Sequence, residues 1–186
     1  MPIDDQGLIN AIAAGSREAF ECVYHAHKDR LLTATAVLLH GDRAVAEDVL
    51  HEVYMQLLED AGSIRLKGAL RNYLITCCLN RARDLLRREA SYVRIVQHVV
   101  NRGSNEVNSS NMLDSQEQQA KLMGMLSQLP DEQREVVTLH LHGDMTFQEV
   151  ASVLDISVNT AKSRYRYAIE KLRQWANIDR VDIGGK

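Results

Sequence analysis

The sequence predicts an all-α chain, built as two small helical domains joined by a flexible linker. Three observations carry this. Apolar residues recur at three- and four-residue steps in almost every apolar stretch, the period of a helix face rather than of a half-buried strand. Leu, Val, Ala, Glu, Arg and Gln are plentiful beside only two Pro, two Phe and one Trp, a composition that favours helix over sheet. The stretch Asn101–Asn111 is polar and rich in Asn, Ser and Gly, and it cannot bury enough apolar surface to order itself. A chain of 186 residues, 45% of them hydrophobic, can hold one domain or two small ones with packed cores.

The elements follow in order. Leu8 to Ala14 is a short periodic segment ending near Gly15, and Ser16 caps a longer helix. Phe20, Val23, Tyr24, His27, Leu31, Thr35 and Leu38 share one side of it, to about His40. Gly41-Asp42 breaks the pattern. Ala44 to Asp60 is the third helix, with Val45, Val49, Val53 and Leu57 as its core stripe and Asp48, His51, Glu52, Met55 and Glu59 outward. Gly62 to Gly68 is a loop carrying Arg65 and Lys67. The fourth helix runs from about Ala69 to Glu89. Its expected buried side is Leu70, Leu74, Cys77, Cys78 and Leu85, with Tyr73, Thr76, Asn80, Arg83 and Arg87 on the other. Four helices with short connections can close a small core, so residues 8–92 form one domain. Residues 93–113 form the linker; Tyr92 to Val100, where domain and linker meet, either extends the fourth helix or packs on a partner. Structure resumes near Asp114 with a helix through Leu122, Met125, Leu126 and Leu129. Pro130-Asp131-Glu132 starts another that ends at His142-Gly143, and the second domain covers 114–177.

Thr146 to Trp175 reads as a helix, a tight turn and a second, basic helix. Thr146 and Glu149 make a capping box, and Ser157 caps the second helix. Ala161, Tyr165, Ala168, Ile169, Leu172 and Trp175 fall on one face; Asn159, Ser163, Arg166, Tyr167 and Glu170 fall on the opposite one, with Lys162 and Arg164 on the flanks. From Lys162 to Arg173 there are five basic residues and one acidic. Such a unit is either a DNA-reading helix-turn-helix or a helical hairpin with a solvated basic face.

The overall charge of −3 argues against a nucleic-acid binder, but the charge is segregated. Arg65 to Arg88 holds seven basic residues and one acidic; Asp42 to Asp60 holds six acidic and one basic. Local patches govern steering toward a polyanion, so the basic segment suits DNA and the acidic one a basic protein surface. On the fourth helix, Asn80 offers a donor and an acceptor to a base edge, Arg83 and Arg87 form a cationic ridge, and Tyr73 is placed to stack on an unpaired base. A solvated helix face is the alternative there.

The residues Leu126-Ser-Gln-Leu129-Pro130-Asp-Glu-Gln-Arg134-Glu-Val-Val137, then Phe147-Gln-Glu149-Val-Ala151 and Asn159-Thr160-Ala161-Lys162-Ser163-Arg164, resemble region 4 of bacterial sigma-70-type factors. Phe20 with Tyr24, Ala46-Glu47-Asp48-Val49 with His51-Glu52-Val53-Tyr54, and Tyr73-Leu74 followed by Asn80, Asp84 and Arg87-Arg88 resemble region 2 of the small extracytoplasmic-function type. Tyr73 stands where that family usually has Trp. The resemblance implies a region 2-like bundle and a region 4-like helix-turn-helix. It implies a factor that binds core RNA polymerase, through the clamp helices of the largest catalytic subunit and the flap, and directs initiation on promoter DNA, double-stranded and melted. Asp48, Glu52 and Met55 are then polymerase contacts. Arg65, Lys67, Tyr73, Thr76, Asn80, Arg83, Asp84 and Arg87 face the −10 element. Asn159, Thr160, Lys162, Ser163, Arg164, Arg166 and Tyr167 face the −35 element. An anti-sigma factor is implied as a regulatory partner. The rivals are a one-component DNA-binding regulator and an adaptor with no DNA role.

Other chemistries find no support. His25 with His27 and His140 with His142 are i, i+2 pairs that splay about 160° apart on a helix, poor chelates, so no metal is expected. Cys22, Cys77 and Cys78 do not suggest a disulfide framework. No Gly-rich phosphate loop, nucleophile elbow or supported carboxylate pair occurs, so neither catalysis nor a cofactor is expected. With no signal peptide and no apolar run of roughly 18 residues, the expected location is cytoplasmic.

Overall fold

Side-chain caps set the helix starts. Asp4 accepts the Gly7 amide at 2.6 Å and opens α1, Asp5–Ala13. Ser16 accepts the Ala19 amide at 3.2 Å and opens α2, Arg17–Leu38. Asp42 accepts the Val45 amide at 3.0 Å and opens α3, Arg43–Asp60. The break expected at Gly41-Asp42 is therefore also a cap, and α1 starts earlier than Leu8 because Asp4 satisfies its first turn. The fourth helix, α4, is Leu70–Gln97, so its backbone runs on past Glu89. Its first amide, on Leu70, is met by Asp5 Oδ2 at 2.7 Å from α1. Gln6 holds the preceding loop at both ends of its amide, donating to the Ile64 carbonyl at 3.3 Å and accepting the Leu66 amide at 2.9 Å.

The second set is α5, Asp114–Ser127; α6, Asp131–Leu141; α7, Phe147–Leu154; and α8, Val158–Asp182. The capping box of Thr146 and Glu149 is formed at the start of α7. Asp155 ends α7 in the left-handed conformation, φ 55°, and Ser157 accepts the Thr160 amide at 3.0 Å to start α8. The helix continues beyond Asn177, where the sequence shows little pattern.

The structure, a computed structural model, describes residues 4–97 and 114–182, with side chains over 4–91 and 121–176. The linker expected over 101–111 lies outside the described residues. No strand occurs among the described residues, and the eight helices make the fold all-α.

Helices α2, α3 and α4 pack together with α1 across them; α6, α7 and α8 pack together with α5 beside them. The two groups meet along α2. Ala34, Thr35, Ala36, Val37, Leu38 and Leu39 are all buried, which a helix achieves only when covered on every side. Val37 belongs to the second group's core, with Leu126, Leu129, Val137 and Ala168. On α4, Leu70, Leu74 and Cys78 are buried as expected. Ile75, Leu79 and Ala82 are fully buried, while Cys77 and Leu85, expected inside, are only partly so. Leu79, Ala82, Arg83 and Leu86 line a narrow crevice shared with Leu38 of α2 and with Asp131, Arg134 and Glu135 at the start of α6.

Candidate nucleic-acid and partner surfaces

The outer face of α8 is open. Asn159, Lys162, Arg166 and Tyr167 are exposed, and the Arg166 guanidinium lies 5.1 Å from the centre of the Tyr167 ring. Thr160 and Ser163 are half-buried: Thr160 shares a 2.8 Å hydrogen bond with Ser157, and the Ser163 hydroxyl donates to the Thr160 carbonyl at 3.0 Å. Arg164 turns back to Glu132 of α6 at 2.7 Å and is 24% exposed. The inner face is fixed by an aromatic cluster. His140 stacks on Phe147 at 4.3 Å, Tyr165 meets both edge-on, and His140 Nδ1 hydrogen-bonds the Met145 carbonyl at 2.7 Å. These contacts give His140 a packing role and orient α8 against α6 and α7.

Helix α4 presents three different edges. Asn80 and Arg87 face solvent, with Asp84 paired to Arg87 at 2.9 Å and Thr76 bonded back to the Asn72 carbonyl at 2.6 Å. Tyr73 does not stand free. It packs against the core, and burial, then Cys77, pushes its hydroxyl up to about 12. Arg83 is exposed as well, but it is not unpartnered: it grips Glu135 of α6 with Nε and Nη2, each at 2.6 Å. In the loop before α4, Lys67 is exposed, and Arg65 Nη1 folds back onto the Ile64 carbonyl at 2.9 Å and the Gly62 carbonyl at 3.2 Å.

Asp48, Glu52 and Met55 all lie on the exposed side of α3. Leu58 belongs with them: Met55 is 45% and Leu58 41% exposed, two large apolar side chains set among carboxylates. Leu58 sits three residues beyond Met55, so the spacing could have revealed it. Glu52 is ion-paired with Arg81 of α4.

A further polar set joins the two helix groups and was not singled out in the sequence. Asp144, in the turn between α6 and α7, is clasped by Arg30 of α2 at 2.7 Å and Arg71 of α4 at 2.9 Å. Those hydrogen bonds and charges, Arg30 first, hold its carboxyl below the usual range. Arg71 also donates to the Gly143 carbonyl at 2.8 Å, and Asn72 donates to Glu149 at 3.0 Å. The Glu149 carboxyl is lowered first by the Thr146 amide that it accepts. Among the described residues no group of three or more His, Cys, Asp or Glu could hold a metal ion, and no helix is long and apolar enough to cross a membrane.

An open basic helix in a helix-turn-helix, set beside a second bundle with its own basic helix and an acidic face, is the arrangement of a two-part DNA-binding protein. Comparison narrows the class. Residues 23–92 match the family described as Sigma-70 region 2, and residues 125–174 match Sigma-70, region 4. The ECF RNA polymerase sigma factor SigK of Mycobacterium ulcerans is 29% identical over 175 residues, covering 91% of this chain and 92% of its own length. The RNA polymerase sigma factor CarQ of Myxococcus xanthus is 27% identical over 162 residues, covering 86% and 90%. CnrH, solved with the cytosolic domain of CnrY, aligns over 94% of this chain and 98% of its own at TM-score 0.67 and 23% identity. The sigma factor RpoE of Bartonella quintana, solved with the anti-sigma factor NepR, aligns over 86% and 98% at TM-score 0.67 and 21% identity, a shared fold. The chain belongs to the sigma-70 family, in its extracytoplasmic-function type.

Proposed function

We infer that this chain binds core RNA polymerase and directs promoter-specific initiation, reading −35 DNA with α8 and melting −10 DNA with α4 and the loop before it. The observation that carries this is the pairing of two basic helices of separate bundles, in the order region 2 then region 4, in one chain. The domains are taken as 8–92 for core docking and the −10 element, 93–113 as the tether, and 114–177 for the −35 element. The chain works in the cytoplasm and has no catalysis of its own; the sigma factor family is not a catalytic class.

On the −35 side, Asn159, Thr160 and Ser163 approach base edges at the start of α8 while Lys162, Arg164 and Arg166 hold phosphates and Tyr167 adds apolar contact. On the −10 side, Asn80, Arg83, Asp84 and Arg87 line the helix, with Thr76 beside them and Arg65 and Lys67 on the base-capturing loop. Tyr73 acts there from a half-buried position. Unstacking costs a few kcal/mol per base step, and captured bases recover it by stacking and hydrogen bonds. Asp48, Glu52 and Met55 dock on the polymerase clamp helices, where an acidic face with an apolar centre suits a basic partner. An anti-sigma protein is the expected regulator, in keeping with the RpoE relative, which was solved with the anti-sigma factor NepR.

Run-off transcription with purified core polymerase on a pool of genomic promoters tests the reading. Specific transcripts whose upstream regions share two spaced motifs are expected only when this chain is added. Protection of DNA by the chain alone, without core, would instead favour a one-component regulator.

A further inference from the structure

Part of the polar side of α4 is engaged by carboxylates of the second helix group, while Asn80, Arg87 and Lys67 stay exposed. Glu135 accepts from Nε and Nη2 of Arg83, Asp144 draws in Arg71, and Glu149 takes Asn72. Glu135 is the more enclosed partner of its pair, with 13% of its side chain exposed. The bidentate geometry at Arg83 is the one a guanidinium uses for phosphate. The contact is backed by an apolar seam in which Val37 of α2 sits among Leu126, Leu129, Val137 and Ala168. Burying a Val or Leu side chain stabilises more than an exposed ion pair does. The seam therefore holds the groups together, and the ion pairs decide which polar surfaces are covered.

We propose that the acidic corner formed by Glu135, Asp144 and Glu149 is a built-in competitor for nucleic acid at α4. The free chain rests closed, with the corner on the −10 helix, and single-stranded DNA binds there only as the corner leaves. The proposal rests on the promoter reading for the role of α4, but closure and competition are measured without polymerase. The −35 face of α8 stays open in the closed state, and Asn80 and Arg87 stay exposed on α4, so the corner competes at Arg83 and the start of α4 rather than covering the whole helix.

The test uses the full chain, with small-angle scattering for closure and fluorescence anisotropy of a labelled single-stranded oligothymidine for binding. A closed chain of 186 residues should give a radius of gyration of about 16 Å. Val37→Asp places a carboxylate in the seam without touching the first bundle's own core; it should enlarge the radius. If the binding-competent form is about a tenth of the population, opening tightens oligonucleotide affinity about tenfold. Glu135→Gln with Asp144→Asn leaves the seam intact and removes the competing charge; it should tighten binding several-fold. A wild-type chain that is already extended would overturn the closed state. A Val37→Asp chain that opens without tighter binding, or a Glu135→Gln, Asp144→Asn chain with unchanged affinity, would overturn the competition. Run-off transcription stands apart: its failure with closure and competition intact would retire the promoter reading alone.

Discussion

The Arg134 guanidinium lies against the His40 ring, with Nη1 3.1 Å from Nδ1 and Nη2 3.0 Å from Nε2. Arg134 is 1% exposed, yet it comes from α6 while His40 lies in the turn after α2 at a positive φ of 56°. Its other bonds run to the Ser127 and Leu129 carbonyls at 2.8 and 3.0 Å, and to Asp131. One planar cation thus closes the α5–α6 turn and seats it on α2. Arg134→Met should cost about 2–3 kcal/mol, because two turn carbonyls lose their donor. The urea midpoint should fall at unchanged slope. Arg134→Lys should recover little, since an ammonium lacks the fork that reaches both carbonyls.

The capping residues Ser16, Thr146 and Ser157 and the two-faced α8 were legible because local chemistry fixes them. The burial of Tyr73, the partner of Arg83 and the share of Ile75, Leu79 and Ala82 in the buried side of α4 were not, although Leu70, Leu74 and Cys78 are buried as expected. Helical period gives two faces, but α4 touches neighbours on more sides than two, and the residue that takes Arg83 lies 52 residues away. A signal did exist in Thr33-Ala-Thr-Ala-Val-Leu-Leu39, which is apolar or small all round and so calls for cover on both sides of α2. Asp5 and Gln6, which pin α4 and its loop, precede the first apolar residue of α1 and carried no periodic mark.

Gly143 has no room for a side chain. A Cβ there would sit 2.4 Å from the Leu139 carbonyl oxygen, a backbone atom that cannot swing away. Gly143→Ala should therefore destabilise by about 1–3 kcal/mol, the range for overpacking. It should also displace the carbonyl that Arg71 Nε holds at 2.8 Å. Thermal unfolding checks the first effect, and tighter oligothymidine binding checks the second.

Acid should loosen the junction between the helix groups. His27 and His142 both titrate below 6.5, burial being the main cause. Arg71 and Arg30 add to the effect at His27 while Asp5 opposes it; Arg30 adds to it at His142 while Asp144 opposes it. A depressed histidine contributes fully above the unfolded value of 6.5, and the contribution is lost as pH falls through the folded value. The lowered carboxyls of Asp144 and Glu149 act in the same sense, but only below about pH 4. Urea stability should thus fall from about pH 7.5 to 5.5 through the histidines alone. His27→Gln with His142→Gln should flatten that slope; an unaltered slope would place the titration elsewhere.

Residues of α8 should separate by what they touch. Lys162 is exposed at the flank of the recognition face, where its ammonium can meet only phosphate. Lys162→Ala should weaken binding of a −35 duplex evenly across sequences and lower the salt slope by about 0.9. Asn159, exposed at the first turn, carries both a donor and an acceptor, and Asn159→Ala should cost about 1–3 kcal/mol at one base pair with the salt slope unchanged. Arg164 is different again, because Glu132 already neutralises it at 2.7 Å. Glu132→Gln should release that cation toward DNA, tightening the duplex and raising the slope, and salt titrations of anisotropy on the duplex found by run-off measure all three. If Glu132→Gln left affinity and slope alone, Arg164 would be a strut between α6 and α8 rather than a phosphate contact.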